Sequence, residues 1–268
     1  MVFYGKPVAA EIYEGIKQEI GGLKEKGIQP FLAVILVGND PASIMYDKMK
    51  GKKAEELGVG FKLHHLAEIT SQEDIINLIN VLNNDNKVHG IIVQLPLPEK
   101  FDTDLILQTI DPKKDIDSLN GGFPPPTAGA ILEVLEFYGI DLNNKKIVLV
   151  GHGKMVGQPL ERLLNSKGLS PVVCDSKTRD LTAITKDADI LISGVGEPGL
   201  IQAEMVSSKT IIIDAGTAES SGKTVGDVSP AAYEKSASYS PVPGGVGPVT
   251  VAELMKNLIR AAKDLTKT

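Results

Sequence analysis

The sequence predicts an α/β protein of two domains, and three observations support this fold class. The chain has 268 residues, which is enough for two modest domains, each with its own core. Short apolar runs of strand length alternate with stretches whose apolar residues recur every three or four positions, as in amphipathic helices. A segment rich in glycine and proline, 119–129, is the best candidate for a linker. Repeated strand–helix–strand units of this kind build parallel sheets covered on both faces.

The first half contains three predicted helices and three predicted strands. Asp40 followed by Pro41 is typical of a helix start, because aspartate caps the helix and proline suits its first position. Pro96 and Pro98 end the last strand of this half. In chain order the elements are a helix over 8–23, a strand over 31–37, a helix over 41–57, a strand over 61–66, a helix over 71–82 and a strand over 89–95.

The second half continues the same alternation. Thr127 is predicted to cap a helix that runs to Phe137. A strand over 147–150 then leads through a glycine-rich turn into a helix that ends near Leu164. Further strands are predicted over 171–174, 189–193 and 210–214, and a final helix runs from Val249 to about Leu265. The arrangement is that of a Rossmann-like domain.

Composition excludes several classes of protein. The net charge is −6, tryptophan is absent and aromatic residues make up only 4%, so nucleic-acid binding is not expected. Cys174 is the one cysteine, and the histidines at 64, 65, 89 and 152 lack metal-ligand spacing, so we predict no disulfide and no metal site. The longest apolar run, 31–37, is too short to span a membrane, and the N-terminus does not resemble a signal peptide. We therefore expect a cytoplasmic protein.

The turn after the strand over 147–150 is a candidate dinucleotide site. Gly151, Gly153 and Gly157 form G-x-G-x-x-x-G between a strand and a helix. Glycines let backbone N–H groups approach a pyrophosphate, and the helix N-terminus adds partial positive charge. The spacing is one residue longer than G-x-G-x-x-G, but the strand–turn–helix context is correct. The alternative is a tight turn that binds no ligand.

The residues after the next strand bear on the choice of cofactor. Asp175 lies where a carboxylate would bind the free ribose 2′-hydroxyl of NAD. Ser176, Lys177 and Arg179 could instead bind the 2′-phosphate of NADP. The sequence leaves both cofactors open, as it does a solvated loop without a ligand. We expect Cys174, at the strand end, to be a buried apolar residue rather than a nucleophile.

A tyrosine–lysine pair is the first candidate for catalysis. Tyr46 and Lys50 are four positions apart on a predicted helix, so both side chains project from one face. Burial or nearby cations make a lysine a useful acid or base, and Lys48, Lys52 and Lys53 crowd this segment. The alternative is a solvated, lysine-rich face. Short-chain dehydrogenases also carry Tyr-x-x-x-Lys, but theirs follows the glycine turn, whereas this pair precedes it; we reject that family.

Three further polar segments are candidate ligand contacts. Gln94 ends a buried strand, where parallel sheets present ligands. Asp115 and Asp117 precede the linker, and a carboxylate there could bind an amidine-like pair of N–H groups on a heterocycle. The segment 240–250 could form a rigid wall beside a flat ligand. The alternatives without a ligand are a plain strand end at Gln94, a hydrophilic loop at Asp115 and Asp117, and a connector between domains over 240–250.

Together these motifs resemble the bifunctional methylenetetrahydrofolate dehydrogenase/cyclohydrolase family. The resemblance covers most of the chain. It rests on VGNDPASIMYDKMKGKKAEELG (37–58), GIIVQLPLP (90–98), KDID (114–117), VLVGHGKMVGQP (148–159), CDSKT (174–178), ADILISGVGEP (188–198), IIIDAGT (211–217), GDV (226–228) and PVPGGVGPVT (241–250). Several ordered motifs together are far more specific than any one of them.

The resemblance implies roles for individual residues. The catalytic set is Lys50, Tyr46, Gln94 and Asp117. The folate-binding set is Tyr46, Gln94, Leu95, Pro96, Asp117, Pro241, Pro243, Gly244 and Gly247. The cofactor-binding set is Gly151, His152, Gly153, Val156, Gly157, Asp175, Ser176, Lys177, Thr178, Arg179, Gly194, Val195 and Gly196. The implied cofactor is NADP, with NAD possible and no metal, and the implied assembly is a homodimer.

The chain departs from the family pattern at three places. His152 and Gly153 stand where the family has arginine and serine, and Asp175 stands where it has histidine, which weakens the case for NADP over NAD. The segment 118–130 is shorter by about a dozen residues, as judged by comparison with the family's motifs. This shortening lies beside the expected folate site and leaves the four catalytic candidates in place.

The resemblance also implies domains and a reaction. We expect a catalytic domain over 1–119, a dinucleotide-binding domain over 120–247, and a last helix over 248–268 that returns to the first domain, with the active site in the cleft between them. Methylenetetrahydrofolate would be oxidised to the methenyl form and then hydrolysed to 10-formyltetrahydrofolate, in one-carbon metabolism and purine biosynthesis. Two alternatives are a shikimate-dehydrogenase-like oxidoreductase and a non-catalytic module that senses a nucleotide.

Overall fold

The computed structural model describes residues 1–220 and 222–266. Within these ranges the α-helices are α1 (Gly5–Glu25), α2 (Pro41–Leu57), α3 (Gln72–Asn84), α4 (Thr103–Gln108), α5 (Pro126–Phe137), α6 (Gly157–Ser166), α7 (Leu181–Lys186), α8 (Pro230–Lys235) and α9 (Val246–Leu265). The strands are β1 (Phe31–Val37), β2 (Gly60–Leu66), β3 (Gly90–Val93), β4 (Ile147–Val150), β5 (Val172–Cys174), β6 (Ile190–Ser193), β7 (Ile211–Asp214), β8 (Ala218–Ser220), β9 (Lys223–Val225) and β10 (Ser238–Ser240). No helix of the described residues has both the length and the apolar character needed to cross a membrane.

The chain forms two compact units. The N-terminal unit contains 11–124 and the chain from Leu254 onward, and the C-terminal unit contains 1–10 and 125–253. These boundaries differ from the predicted ones at 119 and 247. The first residues join the C-terminal unit because the Phe3 backbone N–H donates to Tyr239 O at 2.7 Å and the Phe3 ring stacks on Tyr138. The last helix begins at Val246 rather than Val249, and its first turns pack in the C-terminal unit.

The N-terminal unit is built on three parallel strands in the order β2-β1-β3. Strand β1 is apolar throughout because helices cover both of its faces. Leu32 and Val34 pack in one core with α1 and α9, whereas Ala33 and Ile35 pack in the other with α3 and α4. The three strands run in the same direction, so the residues that follow them meet at one edge of the sheet.

The C-terminal unit contains five parallel strands in the order β10-β7-β6-β4-β5. The chain moves from β4 outward to β5, then crosses to the other side of β4 to form β6 and β7. Ligands of open α/β sheets bind at such a reversal, outside the carboxyl ends of the strands. The reversal here lies between the ends of β4 and β6, where Val150 pairs with Ser193.

Several elements differ from the sequence prediction. Thr127 is not a cap: helix α5 begins at Pro126 after Pro125, and Thr127 lies inside it, because proline fits the first helical position. The elements α4, α7, α8, β8, β9 and β10 were not predicted. Each has three to six residues, too few for a periodic pattern to identify them.

Candidate active site

Helix α2 carries the predicted tyrosine–lysine pair. The Asp40 carboxylate accepts a hydrogen bond from the Ser43 backbone N–H at 2.8 Å and so caps the first turn, as predicted. The helix ends at Gly58, whose φ of 72° is the left-handed conformation that favours glycine at this position. The four-residue spacing places Tyr46 and Lys50 on the same face. Lys50 is only 2% exposed, which excludes the solvated face that was the alternative.

The Lys50 ammonium has three partners. Its Nζ donates to Gln94 Oε1 at 2.6 Å and to Asp47 Oδ1 at 3.0 Å, and it lies 4.5 Å from the centre of the Tyr46 ring. Gln94 directly follows β3, and its Nε2 donates to its neighbour Leu95 O at 2.6 Å. This second bond fixes the orientation of the amide, so its oxygen faces the lysine. The structure therefore brings together three of the four predicted catalytic residues and adds Asp47.

Asp117 belongs to the same electrostatic cluster. Burial raises its pKa, and the Lys50 ammonium partly opposes the rise. Burial likewise raises the pKa of the Tyr46 hydroxyl, with further increases from the charges of Asp117, Tyr13 and Asp47. Tyr46 therefore stays protonated at neutral pH and is able to donate a hydrogen bond. A carboxylate, an ammonium and a phenol together suit the binding and protonation of a polar heterocycle.

The two acids of the KDID segment have different roles in the fold. Asp115 is buried and accepts the backbone N–H of Asn120, which holds the loop after it. Burial raises the pKa of Asp115 to about 6. Asp117 instead acts electrostatically on Lys50 and Tyr46. Of the two candidates named by the sequence, Asp117 is the one whose charge acts on Lys50 and Tyr46.

The surroundings of Lys50 differ from the sequence expectation. Lys48 and Lys52 are exposed, and Lys53 pairs with Glu56, so other lysines do not surround the buried ammonium. The partner that sequence analysis missed is Asp47, which is fully buried. The available signal was its position three residues before Lys50, a spacing at which helical side chains meet.

The remaining predicted folate contacts fall into both units. Leu95 and Pro96 follow Gln94 in the N-terminal unit and are joined by a cis peptide bond. Pro241, Pro243, Gly244 and Gly247 lie in the C-terminal unit, where they connect β10 to the first turn of α9. The connection is internally hydrogen-bonded, and Gly244 O accepts the Gly5 backbone N–H at 2.8 Å. Their contact with folate stays a prediction.

The glycine turn lies at the reversal point of the C-terminal sheet. Gly151 follows β4 with φ of 98°, and a Cβ there would lie 2.9 Å from Gly194 O. A Cβ at Gly157 would lie 2.0 Å from Gly151 O. Both glycines are therefore required by close packing of the turn. Gly153 differs, since a Cβ there would meet no atom within 4 Å, and the space beside it is open to a ligand.

The turn presents groups suited to an anion. Helix α6 starts at Gly157 without a side-chain cap, since its N-cap residue is Val156. Its partial positive charge therefore faces the turn. The predicted contact His152 pairs with Glu161 at 2.7 Å, and its backbone oxygen accepts from Gln158 Nε2 at 3.1 Å. These features fit the pyrophosphate of a dinucleotide.

The loop after β5 is closed by its own polar groups. Asp175 Oδ1 accepts the Lys177 backbone N–H at 2.9 Å, and the Asp175 N–H donates to Thr178 Oγ1 at 2.9 Å. Ser176, Lys177 and Arg179 are exposed around this turn. Cys174 is a buried thiol whose pKa is raised by burial, as expected of an apolar residue and not of a nucleophile.

Two buried carboxylates, unpredicted from the sequence, organise the loops after β6 and β7. The Asp227 carboxylate accepts the backbone N–H groups of Val195 and Gly196, both at 2.8 Å, and of Glu197 at 2.9 Å. It also accepts the Ser193 hydroxyl at 2.6 Å. The N–H groups of the predicted cofactor loop thus point into the protein, and a cofactor would meet its outer face. The sequence signal available for Asp227 was the GDV motif at 226–228.

Asp214, the second carboxylate, ends β7. It accepts the backbone N–H groups of Gly216 at 3.0 Å, Asp227 at 3.2 Å and Val228 at 3.0 Å, and the Tyr233 hydroxyl at 2.7 Å. Burial raises the pKa of Asp214 to about 6. The Asp227 backbone N–H donates to the Asp214 carboxylate, and the Asp227 carboxylate holds the loop after β6. The two acids therefore connect the loops that follow the adjacent strands β6 and β7. The described residues contain no cluster of three or more histidine, cysteine, aspartate or glutamate side chains able to hold a metal.

Comparisons with known proteins bear on the fold, the cofactor and the activity. Residues 3–117 match the family model of the tetrahydrofolate dehydrogenase/cyclohydrolase catalytic domain, and residues 125–266 match that of its NAD(P)-binding domain. Bifunctional protein FolD of Nautilia profundicola is 42% identical over 276 residues, covering 98% of this chain and 97% of the relative. The crystal structure of the Campylobacter jejuni bifunctional enzyme FolD has a TM-score of 0.93 at 41% identity, covering 98% of this chain and 99% of that one. The Trypanosoma brucei enzyme, solved with NADP and an inhibitor, has a TM-score of 0.94 at 32% identity, covering 100% and 99%.

A shikimate dehydrogenase from Thermus thermophilus shares the fold alone, with a TM-score of 0.56 at 15% identity. The comparisons therefore confirm the predicted fold class, the nicotinamide cofactor and the bifunctional dehydrogenase/cyclohydrolase activity over the shikimate-dehydrogenase-like and nucleotide-sensing alternatives. Two family models that together match most of the chain, and a relative that is 42% identical over nearly all of it, lead to one conclusion. The chain belongs to the tetrahydrofolate dehydrogenase/cyclohydrolase family.

Proposed function

We propose that Lys50, Gln94, Tyr46 and Asp117 carry out the folate chemistry of this enzyme. The enzyme oxidises 5,10-methylenetetrahydrofolate with NADP and hydrolyses the methenyl product to 10-formyltetrahydrofolate. The observation that carries the assignment is the contact between a buried Lys50 and the amide of Gln94, 2.6 Å apart. A buried lysine with fixed partners is a typical acid or base, whereas a structural lysine is usually solvated.

The oxidation step makes modest demands on the protein. Bound NADP supplies the hydride acceptor at its nicotinamide ring. No strong base is needed, because the methenyl cation is stabilised by resonance between the two nitrogens. The chain orients the substrate: Asp117 accepts N–H groups of the pterin, and Tyr46 contacts the folate beside Lys50. Holding reacting carbons in contact supplies much of such a rate enhancement.

The hydrolysis step requires proton transfer. Water adds to the methenyl carbon and loses one proton. The bond from this carbon to N5 then breaks as N5 is protonated and the new hydroxyl loses its proton to become the formyl oxygen, so one proton is released overall. Lys50 mediates these transfers, and Gln94 holds its Nζ in position. A positioned acid or base typically contributes about 10²- to 10⁴-fold.

The loop after β5 supports NADP over NAD. Asp175 directs one carboxylate oxygen to the Lys177 backbone N–H and so closes its own turn. Ser176, Lys177 and Arg179 surround that turn with a hydroxyl and two exposed cations. A 2′-phosphate suits this set better than a free hydroxyl does. The T. brucei relative, at 32% identity, was solved with NADP.

The test is Lys50→Met, with Lys48→Met as the matched control because Lys48 is exposed on the same helix. We expect Lys50→Met to fold, to bind NADP and to lose hydrolysis of methenyltetrahydrofolate by at least about 10²-fold. The control keeps wild-type rates. Full hydrolysis by Lys50→Met would refute the assignment.

We also propose that the enzyme acts as a cytoplasmic homodimer that binds neither nucleic acid nor membrane. The net charge of −6 and the absence of tryptophan support the exclusion of nucleic acid. The mass of one chain is 28.5 kDa, so light scattering should give twice that value.

A further inference from the structure

The carboxylate of Asp47 has no role in the chemistry described so far. It is fully buried, and its Oδ1 accepts from Lys50 Nζ at 3.0 Å. Its Oδ2 is also buried and has no hydrogen-bond partner among the described residues. Burying a carboxylate with one oxygen unpaired is unfavourable. A residue that only stabilised the fold would not need this charge, which suggests that the charge serves the site.

The charges around Lys50 show what Asp47 contributes. The titratable groups that act on this cluster are Tyr13 on α1, Tyr46 on α2, His65 on β2 and Asp117 after β3. Burial raises the pKa of Asp47, and Lys50 and His65 partly oppose the rise. If Asp117 binds the pterin, Asp47 is the carboxylate that remains to balance the ammonium.

The two folate substrates differ in a way that makes this balance important. The one-carbon bridge of methylenetetrahydrofolate is neutral, whereas that of methenyltetrahydrofolate carries a positive charge. An unbalanced ammonium would repel the methenyl form selectively, and buried charges interact strongly because solvent screens them little. We propose, on the basis of the proposed function of Lys50, that Asp47 is a positioning residue that neutralises and holds the lysine so that the cationic methenyl intermediate can bind beside it.

The test compares both substrates in the full-length chain. Asp47→Asn keeps the shape of the side chain and removes its charge. We expect its KM for methenyltetrahydrofolate to rise about tenfold, the effect of about one pKa unit of charge interaction, while its KM for methylenetetrahydrofolate changes by less than about twofold. Asp47→Glu, which restores the charge, should bring the ratio of the two KM values back toward wild type.

The matched control is Glu56→Gln. Glu56 also lies three residues from a lysine of α2, but this pair is at the protein surface. We expect the control to leave both KM values unchanged. Asp47→Val provides a second neutral variant that also removes the unpaired oxygen, in case Asp47→Asn does not fold.

Three outcomes would overturn the inference. The first is an unchanged KM ratio in a folded neutral variant. The second is an equal rise in both KM values, which would indicate a general packing role. The third is failure of both neutral variants to fold, which would assign Asp47 to stability. Loss of hydrolysis in Lys50→Met together with an unchanged ratio in Asp47→Asn would reject this inference alone, whereas full activity of Lys50→Met would reject the proposed function.

Discussion

Lys50 and Gln94 are separated by 44 positions in the sequence, yet the lysine Nζ donates to the glutamine Oε1 at 2.6 Å. The contact depends on two different elements: α2 supplies the lysine, and the end of β3 supplies the amide. Since Gln94 is itself held by a hydrogen bond to Leu95 O, the amide can fix the lysine side chain in one orientation. The geometry of Lys50, which we propose as the proton-transferring group, therefore depends on the end of β3 as much as on its own helix.

Replacing Gln94 should affect hydrolysis more than oxidation. In Gln94→Ala, Lys50 loses the neutral partner that positions it, and we expect the hydrolytic kcat to fall by about 10²-fold. Oxidation, which needs no strong base, should fall by less. Parallel assays of methenyl consumption and NADPH formation measure the two rates. Gln108→Ala, an exposed change on α4, is the control. Equal losses in both rates would contradict the role.

Replacing Asp117 should weaken folate binding. We expect Asp117→Ala to raise the KM for methylenetetrahydrofolate by at least about tenfold, because a charge-assisted pair of hydrogen bonds to the pterin is lost. The KM for NADP should stay near the wild-type value. Asp115→Ala provides the contrast: Asp115 accepts the backbone N–H of Asn120, so removing this acceptor should lower thermal stability with a smaller change in KM. An unchanged folate KM in Asp117→Ala would exclude the anchoring role.

The cofactor loop yields a prediction about specificity. Lys177→Ala and Arg179→Ala should each lower kcat/KM with NADP by about tenfold and leave kcat/KM with NAD nearly unchanged, since only NADP carries the 2′-phosphate. Lys186→Ala, an exposed change at the end of α7, is the control. The ratio of the two kcat/KM values is the measurement. A wild-type preference for NAD would show that Asp175 outweighs its basic neighbours.

Asp214 predicts a pH dependence of stability. Its pKa is raised to about 6, so between about pH 4 and pH 6 the folded chain holds a proton that the unfolded chain has released. Its contribution to the free energy of unfolding is therefore complete below about pH 4 and decreases as pH rises through 6, by about 3 kcal/mol in total. Urea unfolding of wild type and Asp214→Asn from pH 4 to pH 7.5 measures the difference. Parallel stability curves would contradict the raised pKa.

The fold was predictable from the sequence where elements are long and their pattern is strong. Strand β1 is seven apolar residues in succession, and α2 begins with Asp40 and Pro41 and ends before Gly58. Short elements carry no such signal, so the three residues of β10 were missed. The place of residues 1–10 in the C-terminal unit rests on backbone bonds to Tyr239 and Gly244, which leave no trace in local sequence.

In the candidate site too, residues marked by local sequence spacing were predictable, whereas residues defined by contacts with distant segments were not. The tyrosine–lysine spacing marks one helix face, and Gln94 marks a strand end, so both could be proposed from pattern. The spacing of Asp47 from Lys50 marks it as a possible partner, but its burial could not be predicted, because burial depends on packing against distant elements. The same holds for Asp214 and Asp227, whose partners are backbone N–H groups of loops.

The bonds between Asp227 and the loop after β6 have a consequence for cofactor capture. The N–H groups of Val195, Gly196 and Glu197 are satisfied by a buried carboxylate within the chain itself. The loop after β6 therefore has a fixed conformation before a dinucleotide binds, and its backbone loses little conformational entropy on binding. Preorganisation of this kind reduces the entropic cost of association, so we expect Asp227 to strengthen binding of the dinucleotide through the loop that it holds.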